Sequence, residues 1–201
     1  MKKGYILLAV LFLAACATGP KTANDYLAES DMYYRKGNLK AAWDSAEQAL
    51  KTDPNAVSAY GTMGAVLYEQ GNYDEAIKYF ELLYKAGDKR SEIISALGAA
   101  YAAKGDYNKA LTYVNEALKA NPTNVAALTT LGGIYYSKKE FQKAVDTYTK
   151  ALKIVPSAAV YSQRAGAYAE LGREDLAMKD YKAAGISVAL GGEEEEFNKV
   201  K

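Results

Sequence analysis

Cys16 is the only cysteine in this chain of 201 residues, and the chain contains no histidine. A single thiol cannot form an internal disulfide framework. Histidine is the commonest general base and metal ligand in proteins, so its absence removes the usual way of building a catalytic or metal site. Four adjacent carboxylates, Glu193 to Glu196, form a charge run that is typical of a solvated tail rather than of a cation site. We therefore expect no enzymatic activity and no metal.

The residues before Cys16 predict export from the cytoplasm. Lys2 and Lys3 give the chain a positive start, and residues 6–15 are apolar and uncharged, which are the two parts of a secretory signal. The apolar stretch is too short to span a bilayer, which needs about 20 apolar residues. We expect residues 1–15 to be a signal peptide.

The end of this stretch, Leu13-Ala14-Ala15-Cys16, closely resembles the bacterial lipobox. That resemblance implies a diacylglycerol on the Cys16 thiol, cleavage just before Cys16, and an N-acyl chain on the new amine. Two or three acyl chains make a stable membrane anchor. The residue after the cysteine is Ala17 and not aspartate. In Gram-negative relatives this part of the resemblance implies export onward to the outer membrane, with the protein facing the periplasm. The alternative is an ordinary secretory signal in which Cys16 stands by chance.

Residues 16–24 are small, polar and rich in helix breakers, as expected of a lipidated tether.

The rest of the chain repeats itself with a period of 34 residues. Each repeat carries an alanine, and a glycine precedes this alanine by five residues in four of the five repeats. A small residue and an aromatic or leucine recur in two further columns. The alanines are Ala42, Ala76, Ala110, Ala144 and Ala177; the glycines are Gly37, Gly71, Gly105 and Gly172, with Lys139 in the fourth repeat; the small residues are Ser30, Gly64, Gly98, Gly132 and Ala165.

This pattern resembles the tetratricopeptide repeat along most of the chain. The resemblance implies an all-α fold, a right-handed α-solenoid of helical hairpins in which neighbouring repeats complete one another's core. We expect five repeats at residues 23–56, 57–90, 91–124, 125–157 and 158–191. Residues 192–201 would then be an acidic tail or a segment that caps the last repeat.

By the same resemblance, the concave groove is formed by positions 2, 5, 9, 12 and 13 of each first helix. The groove candidates are Tyr34, Arg35, Tyr68, Glu69, Ala99, Ala102, Thr129, Tyr136, Ser162 and Glu170. The Lys, Asn and Arg cluster with which chaperone-binding members of the family clamp a terminal carboxylate is absent from these positions, so we expect no such binding. The small side chains leave room for a partner helix or extended segment, with tyrosines as anchors. The alternative is that these tyrosines only lie along the surface.

Most other tyrosines fall on the packing columns of the repeat, where we expect core residues. They are Tyr26, Tyr33, Tyr60, Tyr73, Tyr101, Tyr107, Tyr135, Tyr148, Tyr161, Tyr168 and Tyr181.

Charge narrows the classes of partner. The chain has 25 Lys and Arg against 24 Asp and Glu, so nothing predicts binding to nucleic acid, which usually needs a basic face.

The lipobox and the repeats together favour a membrane-anchored scaffold or assembly factor of the bacterial cell envelope that binds envelope proteins. Type IV pilus pilotins and the adaptors of peptidoglycan enzymes combine a lipobox with such repeats. The alternative is a periplasmic subunit that delivers a small hydrophobic molecule to a transporter, with a cavity at the alanine-rich groove of the third repeat, Ala99, Ala102 and Ala103.

Overall fold

A computed structural model describes residues 19–186 of the chain. The predicted signal peptide, Cys16 and the predicted tail at 192–201 lie outside the described residues. Within them the chain forms ten α-helices and no β-strand, which confirms the all-α fold class. The helices are α1 (Ala23–Arg35), α2 (Leu39–Thr52), α3 (Ala59–Glu69), α4 (Tyr73–Lys85), α5 (Ser91–Lys104), α6 (Tyr107–Ala120), α7 (Val125–Ser137), α8 (Phe141–Ile154), α9 (Ala158–Glu170) and α10 (Glu174–Ala183).

The described residues divide into two compact units at a boundary between Asp88 and Lys89, unit 1 before it and unit 2 after it. Unit 1 contains two helical hairpins, α1 with α2 and α3 with α4, and α3 also packs against both helices of the first hairpin. One cluster of its core consists of small residues and Met63, with aromatic rings packed around them, and Phe80 and Leu83 are buried as well. The Trp43 and Tyr79 rings meet edge to face, with centroids 5.8 Å apart.

Unit 2 contains three hairpins, α5 with α6, α7 with α8 and α9 with α10. The first helices are neighbours in chain order, since α5 packs on α7 and α7 on α9, and each of α6 and α8 packs on the first helix of the next hairpin. The core of this unit includes Leu128, Val145, Tyr148 and Val160. Each hairpin therefore buries its apolar side against the next one, as a repeat array requires.

Glycines allow the two helices of a hairpin to approach closely. A Cβ added at Gly64 would lie 2.7 Å from the Phe80 ring, and one added at Gly98 would lie 2.8 Å from a methyl carbon of Val114. Real Cβ atoms do not make contacts this short, so the aromatic or branched side chain of the second helix occupies the space that the missing side chain leaves. The small-residue column of the sequence is thus a packing requirement.

The turns between paired helices use left-handed backbone. Gly105 ends α5 with φ of 89°. In the fourth repeat this position is Lys139, with φ of 61°, and it is the only non-glycine residue with positive φ in the described part of the chain.

In two of the hairpins the polar residue after the turn acts as an N-cap of the second helix. The side chains of Asn38 and Asp106 accept hydrogen bonds from the backbone N–H groups of Ala41 and Lys109. Asn72 occupies the same position before α4, but its side chain makes no capping bond and instead donates to Oε1 of Gln70 at 3.5 Å.

All eleven tyrosines predicted to pack are at least half-buried, and Tyr101 and Tyr148 are fully buried. None of the helices in residues 19–186 combines the length and apolar character needed to cross a bilayer.

Candidate functional site

In unit 1 the predicted groove residues of α1 and α3 meet near the helix ends. The hydroxyl of Tyr34 donates a hydrogen bond to Oε1 of Glu69 over 3.4 Å, which is long for a bond between two oxygens. Arg35 is exposed and pairs with Asp31 one turn earlier, with Nη2 and Oδ2 2.9 Å apart. Tyr34, Arg35 and Glu69 border an open pocket of ≈ 440 Å³.

Unit 2 repeats this arrangement between α7 and α9. The hydroxyl of Tyr136 donates to Oε1 of Glu170, again over 3.4 Å. The ring of Tyr136 also packs against Phe141, with centroids 5.4 Å apart. The two pairs occupy equivalent repeat positions, because Tyr34 and Tyr136 are both position 12 and their carboxylate partners are both position 13 of the following repeat.

Tyr68 is held differently from the other two groove tyrosines. Its ring is tilted against that of Tyr73, the first residue of α4, with centroids 5.4 Å apart. Tyr68 is half-buried, as are Tyr34 and Tyr136. Each predicted anchor thus gives part of its surface to intramolecular contacts and leaves the remainder exposed.

The three phenols are neutral hydrogen-bond donors at physiological pH. Burial raises the pKa of Tyr34 and of Tyr136, and the nearby Glu69 and Glu170 carboxylates raise these pKa values further. The pKa of Tyr68 is raised mainly by burial as well. The tyrosines can therefore bind a partner through an aromatic face and a hydroxyl, but they supply no charge of their own.

The inner face of unit 2 consists of the predicted groove positions of its three first helices. They are Glu92, Ser95, Ala99, Ala102 and Ala103 on α5, Ala126, Thr129, Gly133, Tyr136 and Ser137 on α7, and Ala159, Ser162, Gly166, Ala169 and Glu170 on α9. Ala99, Ala102, Thr129 and Ser162 are all half-buried. The Thr129 hydroxyl donates to the backbone oxygen of Val125 in its own helix over 2.8 Å, so this side chain lies close to the helix surface. Tyr136, Glu92 and Glu170 have the largest side chains on this face.

The comparison with family models places two overlapping matches on these helices. A model described as tetratricopeptide repeat matches residues 27–91, and one described as anaphase-promoting complex, cyclosome, subunit 3 matches residues 69–151. The chain is a tetratricopeptide-repeat protein.

Solved structures of tetratricopeptide-repeat (TPR) proteins have the same fold. The chain is 27% identical to a crystal structure of MamA, with 77% of this chain and 91% of that one covered and a TM-score of 0.60. For the thermophilic TPR protein TTC0263 of Thermus thermophilus the identity is 24%, the coverage 81% and 90%, and the TM-score 0.73. For YrrB, a TPR protein with an unusual peptide-binding site, the identity is 22%, the coverage 86% and 90%, and the TM-score 0.56. These matches confirm the TPR α-solenoid. No curated protein sequence matches the chain.

An ion pair in the last TPR hairpin was not predicted from the sequence. The Arg164 guanidinium donates to both carboxylate oxygens of Asp180, over 2.6 and 2.8 Å, and to the Thr149 hydroxyl over 2.9 Å. The guanidinium also lies over the rings of Tyr161 and Tyr168. In the second and third repeats the same two positions hold Met63 with Tyr79 and Leu97 with Tyr113, so the repeat pattern gives no sign of an ion pair there.

A buried polar cluster in unit 2 was also missed. The Asn124 side chain donates to the hydroxyls of Ser91, over 2.6 Å, and Ser95, over 3.4 Å, while its oxygen caps α7 at the N–H of Ala127. Every polar atom of the Asn124 side chain is thereby used inside the protein, so the cluster fixes the start of α7 against α5 and is not a binding site. In the described part of the chain no group of three or more acidic or cysteine side chains is placed to hold a metal ion.

Proposed function

We propose that this TPR protein is a protein–protein interaction scaffold of the bacterial cell envelope, held at the membrane by lipid on Cys16. It binds envelope proteins by accepting a helix or an extended segment of the partner on the inner faces of its first helices. The role is that of an assembly factor, like the pilotins of type IV pili or the adaptors of peptidoglycan enzymes.

The observation that carries the proposal is the surface around Tyr136. The half-buried ring has small residues near it on α7 and α9: Gly133 lies one turn earlier on α7, and a Cβ added at Gly166 would lie 3.9 Å from the ring. An aromatic side chain whose position is already fixed loses little conformational entropy when a partner covers it. Small neighbours leave space for the backbone of a bound segment.

The anchoring part of the proposal is supported by the sequence. Leu13-Ala14-Ala15-Cys16 follows a charged start and an apolar stretch. Because α1 already begins at Ala23, the tether between the lipid and α1 is shorter than the predicted residues 16–24 and comprises residues 17–22. A tether of this length places the repeats close to the membrane surface while they remain free to reorient.

The peptide-binding part is in keeping with one structural relative. YrrB is a TPR protein with an unusual peptide-binding site, and the inner face of unit 2 of the present chain has the room and the aromatic side chain that a peptide site needs. The inner face here lacks a Lys, Asn and Arg cluster, so recognition does not depend on the terminal carboxylate of a partner.

Photo-crosslinking in the native host tests the scaffold function. Tyr136 is replaced by the photoreactive p-benzoylphenylalanine, and the control carries the same residue at Lys150, an exposed position on α8. We expect discrete crosslinked envelope proteins from position 136 that are absent or much weaker from position 150. Identical crosslinking from both positions, or none from position 136, would contradict the proposal.

A further inference from the structure

Two glycines on the inner face of unit 2 have no packing role inside the protein. A Cβ added at Gly133, in the middle of α7, would lie 3.7 Å from the Tyr148 hydroxyl oxygen, and one added at Gly166 on α9 would lie 3.9 Å from the Tyr136 ring. Both are ordinary van der Waals distances. The neighbouring Gly132 is different, because a Cβ there would lie 2.5 Å from the Tyr148 ring. Glycine in a helix interior is less stable than alanine, so folding alone would favour alanine at positions 133 and 166.

The two glycines lie beside the Tyr136–Glu170 pair. Gly133 and Tyr136 are three residues apart on α7, and Gly166 and Glu170 are four residues apart on α9, so each glycine shares a helix face with one member of the pair. The pair and the glycines thus form one small patch, with an aromatic ring and a carboxylate next to two partly exposed glycines. Glycine lets another chain approach helix backbone closely.

The charges of the inner face of unit 2 have one sign. Of its fifteen positions two are charged, and both are acidic, Glu92 and Glu170. Both side chains are exposed. Glu170 can accept several hydrogen bonds through its two oxygens, and the bond from Tyr136 is long at 3.4 Å. The face therefore attracts cations and disfavours an acidic segment.

We infer that the inner face of unit 2 binds a partner segment that carries a Lys or Arg side chain, with its aliphatic part along the Tyr136 ring and its cationic end at Glu170. The inference rests on the proposed function and names the chemistry of the partner. An aromatic ring next to a carboxylate suits both parts of such a side chain, because the ring covers the methylene groups and attracts the cation. Gly133 and Gly166 give the partner backbone the space to bring that side chain down to the pair.

A selection from random peptides displayed on phage tests this without knowledge of the natural partner. The purified full chain is the target, and the bound peptides are sequenced and compared with the unselected library. We expect enrichment of Lys and Arg. A selected peptide is then synthesised with a fluorophore, and its affinity for variants is measured by fluorescence anisotropy. Glu170→Gln keeps an oxygen that can accept from Tyr136 but removes the charge, and we expect affinity to fall roughly fivefold.

Substitution of the two glycines gives a second test, because stability and peptide affinity should change in opposite directions. Gly133→Ala and Gly166→Ala are expected to raise the Tm, because alanine favours the helix, and to weaken peptide binding about tenfold because the added methyl meets the partner backbone. Glu174→Gln, which removes an exposed carboxylate on α10, is the control and should leave affinity unchanged.

The results test the basic partner segment and the scaffold function separately. Peptides that lose affinity in the glycine variants but lack basic residues, or that bind Glu170→Gln as tightly as the unaltered protein, would overturn the inference and leave the scaffold function standing. Failure to select any peptide, or affinity unaltered by the glycine variants, would overturn the inference together with the use of this face by the scaffold.

Discussion

The Tyr148 ring lies against Gly132 so closely that a Cβ at position 132 would be 2.5 Å from its Cε1 atom. Tyr148 is almost fully buried, at 2% exposure, so its ring cannot move aside into solvent. We expect Gly132→Ala to lower the free energy of unfolding by about 1–2 kcal/mol, since the overpacking cost exceeds the gain in helix propensity. Urea denaturation followed by circular dichroism measures this value.

The adjacent glycine is a matched control for this prediction. Gly133→Ala adds the same methyl group to the next residue of α7, where the Tyr148 hydroxyl oxygen is 3.7 Å away, and we expect stabilisation by about 0.5–1 kcal/mol. In a Tyr148→Ala background the destabilisation by Gly132→Ala should disappear. An equal cost with and without the ring would show that the Tyr148 contact is not its cause.

The ion pair of the last hairpin gives the second prediction. Asp180 is 4% exposed, and both oxygens of its carboxylate accept hydrogen bonds from the Arg164 guanidinium. Arg164→Ala leaves a buried charge without its cation, and we expect a loss of about 3–5 kcal/mol in unfolding free energy. The double variant Arg164→Met with Asp180→Leu introduces an uncharged pair, as in the second and third repeats, and should regain most of that loss. A double variant as unstable as Arg164→Ala would contradict this account.

The fold was predictable because one period governs local structure and packing together. The repeat period places Gly98 in the column of small residues, and the structure places Val114 in the space that its missing side chain leaves. The Arg164–Asp180 pair was not predicted, since it occupies columns that are apolar in the second and third repeats and so breaks the pattern from which the core was read. An arginine and an aspartate 16 residues apart do not by themselves predict that the two side chains form a buried ion pair.

The groove was predictable as a set of positions but not as a set of contacts. Repeat position alone identified Tyr136 and Glu170 as groove residues. Their hydrogen bond depends on how far α9 is displaced along α7, which the sequence period does not specify. The Tyr68–Tyr73 contact likewise arises from the tight turn between α3 and α4, where Gly71 brings the two rings together.

The third prediction concerns stability at alkaline pH. Burial raises the pKa of Tyr148 to about 12, whereas a tyrosine in the unfolded chain titrates near 10. The folded protein therefore binds more protons than the unfolded chain between these values. The contribution of the protonated Tyr148 to the free energy of unfolding is fully present below pH ~10. As pH rises toward ~12 this contribution is lost, which lowers the free energy of unfolding by about 2–3 kcal/mol.

Tyr148→Phe isolates that contribution, because phenylalanine keeps the ring but has no group that ionises. Lysines and the other tyrosines titrate in the same range in both proteins, so the informative quantity is the difference between their unfolding free energies at each pH. That difference should shift in favour of the variant as pH rises from ~10 to ~12. A constant difference would mean that Tyr148 ionises equally well in the folded and unfolded chains.

The fourth prediction tests the anchor. Cys16→Ser retains the signal peptide but removes the thiol that the lipobox resemblance assigns to diacylglycerol. We expect the variant to keep its full precursor mass and to incorporate no labelled palmitate in its host, while the unaltered protein is labelled and shorter. Ala17→Ser changes a neighbouring residue and should be processed and labelled normally. Labelling of the Cys16→Ser protein would exclude lipid attachment at this cysteine.

The fifth prediction concerns the turn between α7 and α8. Lys139 adopts φ of 61° at the repeat position where the other four repeats have glycine. Left-handed backbone costs an ordinary residue about 1 kcal/mol, because its Cβ crowds the following carbonyl, and glycine avoids this cost. We expect Lys139→Gly to raise the free energy of unfolding by about 0.5–1 kcal/mol. Lys138→Gly is the control, since Lys138 has φ of −83° and gains nothing from glycine, so it should be neutral or destabilising. If both substitutions stabilised the protein equally, chain flexibility at the turn and not the left-handed conformation of Lys139 would account for the effect.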